Sequence, residues 1–64
     1  MCEANAYLKK KNTDTYEEFL CAVNRIEPTE TGLLLESIFG ERKYLKAKID
    51  ALHLVDHKIL LEEI

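Results

Sequence analysis

The amino-acid sequence predicts an all-β protein, a small antiparallel sheet or partly open barrel of about five to seven short strands. Two observations favour this fold. Residues that form turns interrupt the chain at four places, and the segments between them have the lengths of strands. From Tyr44 to Ala51, apolar and polar residues alternate strictly, as they do on a strand with one buried face.

The turns divide the chain into five segments. Most of the breaks are rich in Asn, Asp, Thr, Gly or Pro, which favour turns, and they lie at residues 12–15, 28–32, 40–41 and 56–58. The predicted strand segments, in chain order, cover residues 2–10, 16–27, 33–39, 42–55 and 59–64. No internal repeat or linker separates them, so we predict a single domain over residues 1–64.

A helical interpretation of two stretches competes with this prediction. Glu17 and Glu18 after Asp14 are typical of a helix start, and the apolar residues that follow have helical spacing, namely Phe19, Leu20, Val23 and Ile26. The last third of the chain also has apolar residues at intervals of three or four, namely Leu45, Ile49, Leu52 and Val55. Periodicity alone leaves both fold classes open.

Composition limits the compartment and the means of stabilisation. The chain has 64 residues, a formal charge of −3 and 47% hydrophobic residues, which is ordinary for a globular protein. No apolar run suits a membrane span or a signal peptide, so we expect a cytoplasmic protein without a membrane partner.

A domain of about 60 residues is marginally stable by itself. Because cytoplasmic thiols stay reduced, we expect dimerisation, rather than a disulfide between Cys2 and Cys21, to stabilise the fold.

Three short motifs carry a resemblance to a known family. They are MCEANAYL at residues 1–8, IFGE at 38–41 and LVDHKI at 54–59. The sequence resembles the CooT family of small prokaryotic proteins, whose type member is an accessory protein for nickel insertion into carbon monoxide dehydrogenase. The resemblance favours the all-β fold. It implies a homodimer of small antiparallel β subunits in which the cysteine after the initiator methionine, here Cys2, holds nickel at the interface.

The first two residues offer metal-ligand chemistry of their own. The Cys2 thiolate, the Cys2 amide nitrogen and the terminal amine of Met1 can reach one metal ion through fused chelate rings. Such rings enforce a flat arrangement, and square-planar nitrogen and sulfur ligation suits Ni(II) better than Zn(II), which prefers a tetrahedron. Cu(II) prefers the same geometry, so the ligands alone do not separate it from nickel.

Processing of the N-terminus changes these donors. If Met1 is removed, one chain offers the Cys2 amine and thiolate; if Met1 is kept, it offers three donors. In both cases one chain fills only part of the coordination sphere. A two-fold dimer duplicates every group about its axis, so the second Cys2 can supply the remaining ligands. We therefore expect one Ni(II) per dimer, with a nickel enzyme or its maturation proteins as further partners.

The second cysteine and the two histidines are predicted to be structural. Cys21 lies in the apolar run 19–23, where a free cysteine usually packs as a small hydrophobic residue. His53 and His57 have the spacing of zinc ligands on a helix, but no Glu follows His53. The resemblance places His57 in the turn before the last strand.

RNA binding is the alternative function, since some CooT proteins have been labelled predicted RNA-binding proteins. Lysines occur at 9–11, and Tyr44, Lys46 and Lys48 would share one face of a strand. Because the net charge is negative, we interpret these lysines as parts of solvated strand faces.

A protein-interaction module without a metal is the other alternative. The chain has no Ser-His-Asp or Gly-rich phosphate signature and little room for a pocket, so we predict that it is not an enzyme.

Overall fold

The computed structural model describes residues 4–64 and shows six β-strands without a helix among them. The all-β prediction is confirmed. The strands, in chain order, are β1 Ala4–Lys9, β2 Glu17–Pro28, β3 Leu33–Ser37, β4 Arg42–Leu45, β5 Ala47–His53 and β6 Lys58–Glu63. The described part of the chain contains no helix that could span a membrane.

The strands form one sheet in the order β4-β3-β2-β1-β6-β5. Four pairings are antiparallel, as predicted, but β1 and β6 are parallel, which makes the sheet mixed. The antiparallel prediction is wrong for this pair because it assumed that neighbours in the sheet are neighbours in sequence. The last strand instead pairs with the first, and such long-range pairing leaves no signal in local periodicity.

The predicted segment 42–55 is two strands rather than one. The chain turns at Lys46, whose carbonyl accepts a hydrogen bond from the Ile64 amide at 3.1 Å. As a result, β4 and β5 lie at opposite edges of the sheet. The strict alternation also fails in β5, because a register shift between Ile49 and Ala51 places Ala51 opposite Leu60 on β6.

The core lies on one face of the sheet. In β1, Ala6 and Leu8 are buried and alternate with partly exposed neighbours, which is the period-two pattern of a strand with one covered face. Leu35 and Leu61 are the largest fully buried side chains. The rest of the buried cluster is formed by Leu20, Leu33, Ala47 and Ile59.

A bulge bends β2 where it passes the start of β1. Between the pairs Ala4–Val23 and Ala6–Leu20, β2 has one residue more than β1, and Ala22 has a φ of 54°. A left-handed backbone conformation is costly for a residue with a Cβ, so it needs support from the surroundings. The side chain of Asn5 gives this support, because its Oδ1 accepts a hydrogen bond from the Ala22 amide at 3.0 Å.

Two glycines are required for different reasons. A Cβ on Gly32 would lie 2.1 Å from the carbonyl oxygen of Leu45, so the turn after β2 touches the backbone at the end of β4. Gly40 has a φ of +88° and open space around it. The turn that contains Gly40 is held by Ser37, whose buried Oγ accepts hydrogen bonds from the amides of Phe39 and Glu41 at 3.1 and 3.2 Å.

Substitution of the two glycines should separate these effects. We expect Gly32→Ala to lower the free energy of unfolding by about 3 kcal/mol, because backbone must move away from backbone. The matched variant Gly40→Ala should cost only about 1 kcal/mol, the strain of a left-handed alanine. Urea denaturation measures both. A larger loss for Gly40→Ala would contradict the close approach of Gly32 to Leu45.

Candidate functional site

The two predicted metal ligands, Met1 and Cys2, lie outside the described residues, as does Glu3. The described part of the chain begins at Ala4, two residues after Cys2, and Ala4 already belongs to β1. The surroundings of Ala4 and Asn5 are therefore the part nearest the predicted ligands whose geometry is known.

The start of β1 is fixed from both sides. On one side Ala4 pairs with Val23 of β2, which in turn pairs with Ser37 of β3. On the other side the Asn5 amide donates to the His57 carbonyl at 2.9 Å, in the turn before β6. Together with the hydrogen bond from the Ala22 amide to the Asn5 side chain, these contacts hold Ala4 and Asn5 at a defined position in the sheet.

An exposed apolar turn lies beside Asn5. Leu54 and Val55 precede His57 and are 73% and 92% exposed. The turn is closed by a hydrogen bond from the His57 amide to the Leu54 carbonyl at 3.2 Å. Turns of this kind are normally polar, so two adjacent exposed aliphatic side chains are unusual at such a position.

Cys21 is exposed, and the prediction of a buried thiol is wrong. Its neighbours Leu20 and Ala22 are both buried, so alternation along β2 leaves Cys21 on the side away from the core. The apolar composition of the run 19–23 was therefore a poor guide, because alternation along a strand decides burial residue by residue.

The two histidines have different positions. The prediction that His57 lies in the turn before the last strand is confirmed, and its φ of 58° closes that turn. The hydrogen bonds described for His57 use its backbone amide and carbonyl. His53 is exposed at the end of β5. Among residues 4–64 no three His, Cys, Asp or Glu side chains are grouped closely enough to hold a metal ion.

The lysines predicted as a basic face are dispersed. Tyr44 belongs to β4 and Lys48 to β5, at opposite edges of the sheet, so the prediction that Tyr44, Lys46 and Lys48 share one strand face is wrong. Lys9 and Lys48 both lie 3.5 Å from carboxylate oxygens of Glu62. These ion pairs are partly exposed and contribute little to stability, but they neutralise much of the local positive charge.

An ion-pair network centred on Glu36 joins β2, β3 and β4. Oε1 of Glu36 lies 3.0 Å from Nη2 of Arg25, and Oε2 of Glu36 lies 3.0 Å from Nε of Arg42. The hydrogen bond from Arg42, with the charge of Arg25, holds the pKa of Glu36 below its ordinary value. This network lies on β2, β3 and β4, away from the β1–β6 pair, and we interpret it as part of the sheet's own stabilisation.

Sequence reasoning missed a groove on the outward face of the sheet. It has a volume of about 370 Å³ and is lined by Tyr7, Tyr16, His53, Lys58 and Leu60. The Lys58 ammonium lies 5.9 Å from the centre of the Tyr7 ring, and that of Lys9 lies 5.6 Å from Tyr16. A hydrogen bond to Asp50 raises the pKa of the Tyr16 hydroxyl. The groove joins residues from four parts of the chain, so no local motif could predict it.

Comparison with known proteins identifies the family. A family model described as CO dehydrogenase accessory protein CooT matches residues 1–62. The chain belongs to the CooT family. Its fold is also similar to a crystal structure described as CooT from Carboxydothermus hydrogenoformans, with 57% sequence identity, a TM-score of 0.87 and coverage of 98% of each chain. No curated protein matches the sequence.

The family match covers all three motifs that carried the resemblance. It includes Cys2 and Met1, the exposed apolar turn and the start of β1. The CooT family is described by its link to CO dehydrogenase as an accessory protein, and not as the enzyme itself. This description supports a role in the maturation of that enzyme.

The support that Asn5 gives to the start of β1 can be tested by substitution. We expect Asn5→Ala to lower the free energy of unfolding by about 1–3 kcal/mol, because the buried Ala22 amide loses its acceptor. Asn5→Asp keeps an oxygen at the same position and should retain most of the stability. Thermal and urea denaturation of both variants provide the measurement. Equal losses in the two variants would show that the acceptor oxygen is not what Asn5 contributes.

Proposed function

We propose that this CooT protein binds Ni(II) through Cys2 at the interface of a homodimer and supplies it during maturation of carbon monoxide dehydrogenase. The family supports the maturation role. The nickel itself is cargo in this proposal, and the protein acts as a metallochaperone. The observation that carries the proposal is a thiol two residues before a strand whose start is fixed beside an exposed apolar turn.

The donor set at the N-terminus fits Ni(II). One sulfur and one or two nitrogens in adjacent chelate rings favour square-planar coordination, which Ni(II) adopts and Zn(II) does not. The thiol, and any amide nitrogen that binds, must lose a proton, so metal affinity decreases as the pH falls. A delivered metal ion has to be released as well as bound. Release from ligands at a chain terminus needs little rearrangement of the fold.

A second copy of the chain completes the coordination sphere. One N-terminus provides two or three donors, whereas square-planar nickel takes four ligands. A two-fold axis beside Cys2 would bring two thiolates to the same ion. The exposed Leu54 and Val55, next to the start of β1, give this region the apolar character expected of an interface core.

A nickel titration tests the metal site. Freshly reduced, tag-free protein should develop ultraviolet thiolate-to-nickel charge-transfer bands that saturate at half an equivalent of Ni(II) per chain. Cys2→Ser should abolish the bands. Cys21→Ser is the matched control and should leave them unchanged, because the exposed Cys21 has no role in the proposed site. Bands that survive in Cys2→Ser, or that depend on Cys21, would refute the assignment.

A second candidate function is the binding of single-stranded RNA at the outward groove. The observation that favours it is the pairing of Tyr7 with Lys58 and of Tyr16 with Lys9 on one face. Tyrosine rings can stack on bases while lysines contact phosphates. The negative net charge of −3 opposes this function.

Salt dependence decides whether the groove binds RNA. A labelled single-stranded RNA should bind more tightly as salt is lowered, and Lys58→Glu should weaken binding by about tenfold. Lys46→Glu, the same change outside the groove, should have a much smaller effect. Absence of binding at low salt would eliminate the RNA hypothesis.

A further inference from the structure

A second groove lies on the core side of the sheet, at the end where β1 finishes. Its volume of about 510 Å³ is within the range of about 300–1,000 Å³ that is typical of small-molecule sites. Four apolar side chains from different parts of the chain line it, namely Leu8, Phe19, Leu45 and Ile64. Leu8 is 8% exposed and belongs to the buried cluster, whereas Ile64 is 58% exposed. The groove therefore runs from the core to the surface, and we call it the Lys46 groove after a lysine at its rim.

Two hydrogen bonds fix the shape of the Lys46 groove. The Lys11 amide donates to Oε1 of Glu63 at 2.9 Å, and the Ile64 amide donates to the Lys46 carbonyl at 3.1 Å. These bonds join the loop after β1, the bend between β4 and β5, and the end of β6. A ligand that enters a site whose walls are already in place loses less free energy to ordering.

The rim of the groove has more positive than negative charge. Lys11 and Lys46 both line the groove and are both exposed. Within residues 4–64 neither of them forms an ion pair, whereas Lys9 and Lys48 are both paired. The carboxylate of the lining, Glu63, accepts the Lys11 amide. Two cations beside one anion leave the rim able to bind a further negative charge.

We propose that the Lys46 groove binds an aliphatic monocarboxylate. Its hydrocarbon chain would lie against Leu8 and Leu45, where burial of apolar surface is favourable. Its carboxylate would accept charge-assisted hydrogen bonds from Lys11 and Lys46, which are stronger than neutral ones. Glu63 repels a dianion such as a phosphate monoester more strongly than it repels a monoanion, so the charges favour a carboxylate.

The groove is separate from the candidate nickel site. Leu8 lies four residues after Ala4 in β1, which is about 13 Å along an extended strand. The inference therefore does not rest on the proposed function. Cys2→Ser, which should abolish nickel binding, should leave carboxylate binding unchanged, so the two proposals can fail independently.

Nuclear magnetic resonance of the isotope-labelled full chain tests the groove, with sodium octanoate as the probe. Octanoate should shift the amide resonances of Lys11, Phe19, Lys46 and Ile64, while resonances of the outward face, such as that of Leu60, stay in place. Octanol has the same chain without the charge, and octylamine carries the opposite charge. Both should bind about tenfold more weakly than octanoate, because neither can accept the charge-assisted hydrogen bonds.

Substitutions at the rim test the role of charge. Lys46→Glu should weaken octanoate binding by about tenfold, because a carboxylate replaces one of the two cations. Lys58→Glu is the matched control, since Lys58 is also exposed, forms no ion pair within residues 4–64 and lies outside the groove. It should bind octanoate as the wild type does. The dispersion of the amide spectrum reports whether each variant folds, and Lys46→Gln replaces Lys46→Glu if the latter does not.

Three results would overturn the inference. One is that millimolar octanoate leaves the resonances of the groove unchanged. Another is that octylamine binds as tightly as octanoate, and the third is that Lys46→Glu and Lys58→Glu weaken binding equally. Sedimentation with phosphatidylcholine vesicles that contain oleate separates a free carboxylate from one at a membrane surface. The protein should stay in the supernatant, and pelleting that depends on Lys46 would contradict a groove for a free ligand.

Discussion

The bend in β2 is the constraint on which the rest of the structure depends. This strand has 12 residues, and its first half pairs with β1 while its second half pairs with β3. Val23 pairs with both, at the point where the bulge around Ala22 redirects the chain. Asn5 holds this point, because its Oδ1 accepts a hydrogen bond from the Ala22 amide. One side chain thus connects the bend of the sheet with the start of the strand that follows Cys2.

The small bent sheet has a well-packed centre and a partly uncovered edge. Its centre is packed around two fully buried leucines, and β2, β3 and β4 are joined by the ion pairs of Glu36 with Arg25 and Arg42. Its edge at β5 keeps half-exposed aliphatic side chains on the core side. A domain of this size has little apolar surface to spare, so an uncovered edge limits its stability.

The proposed chemistry places few demands on the fold. The ligands are consecutive in sequence, so the sheet has only to present the N-terminus at a fixed place and next to a second copy. Separation of the proposed ligands from the sheet would suit metal delivery, because the ligands can rearrange during transfer while the sheet stays intact.

The sequence by itself determined the local properties of this protein. Turn residues and the short segments between them indicated the strands, and the first eight residues indicated the family, because these signals lie within a few consecutive residues. The nickel chemistry of Met1 and Cys2 stays a prediction. Only the tertiary structure decided the parallel pairing of β1 with β6, the division of 42–55 at Lys46 and the exposure of Cys21. These features depend on bulges and on contacts between residues distant in the chain, and local periodicity carries no information about either.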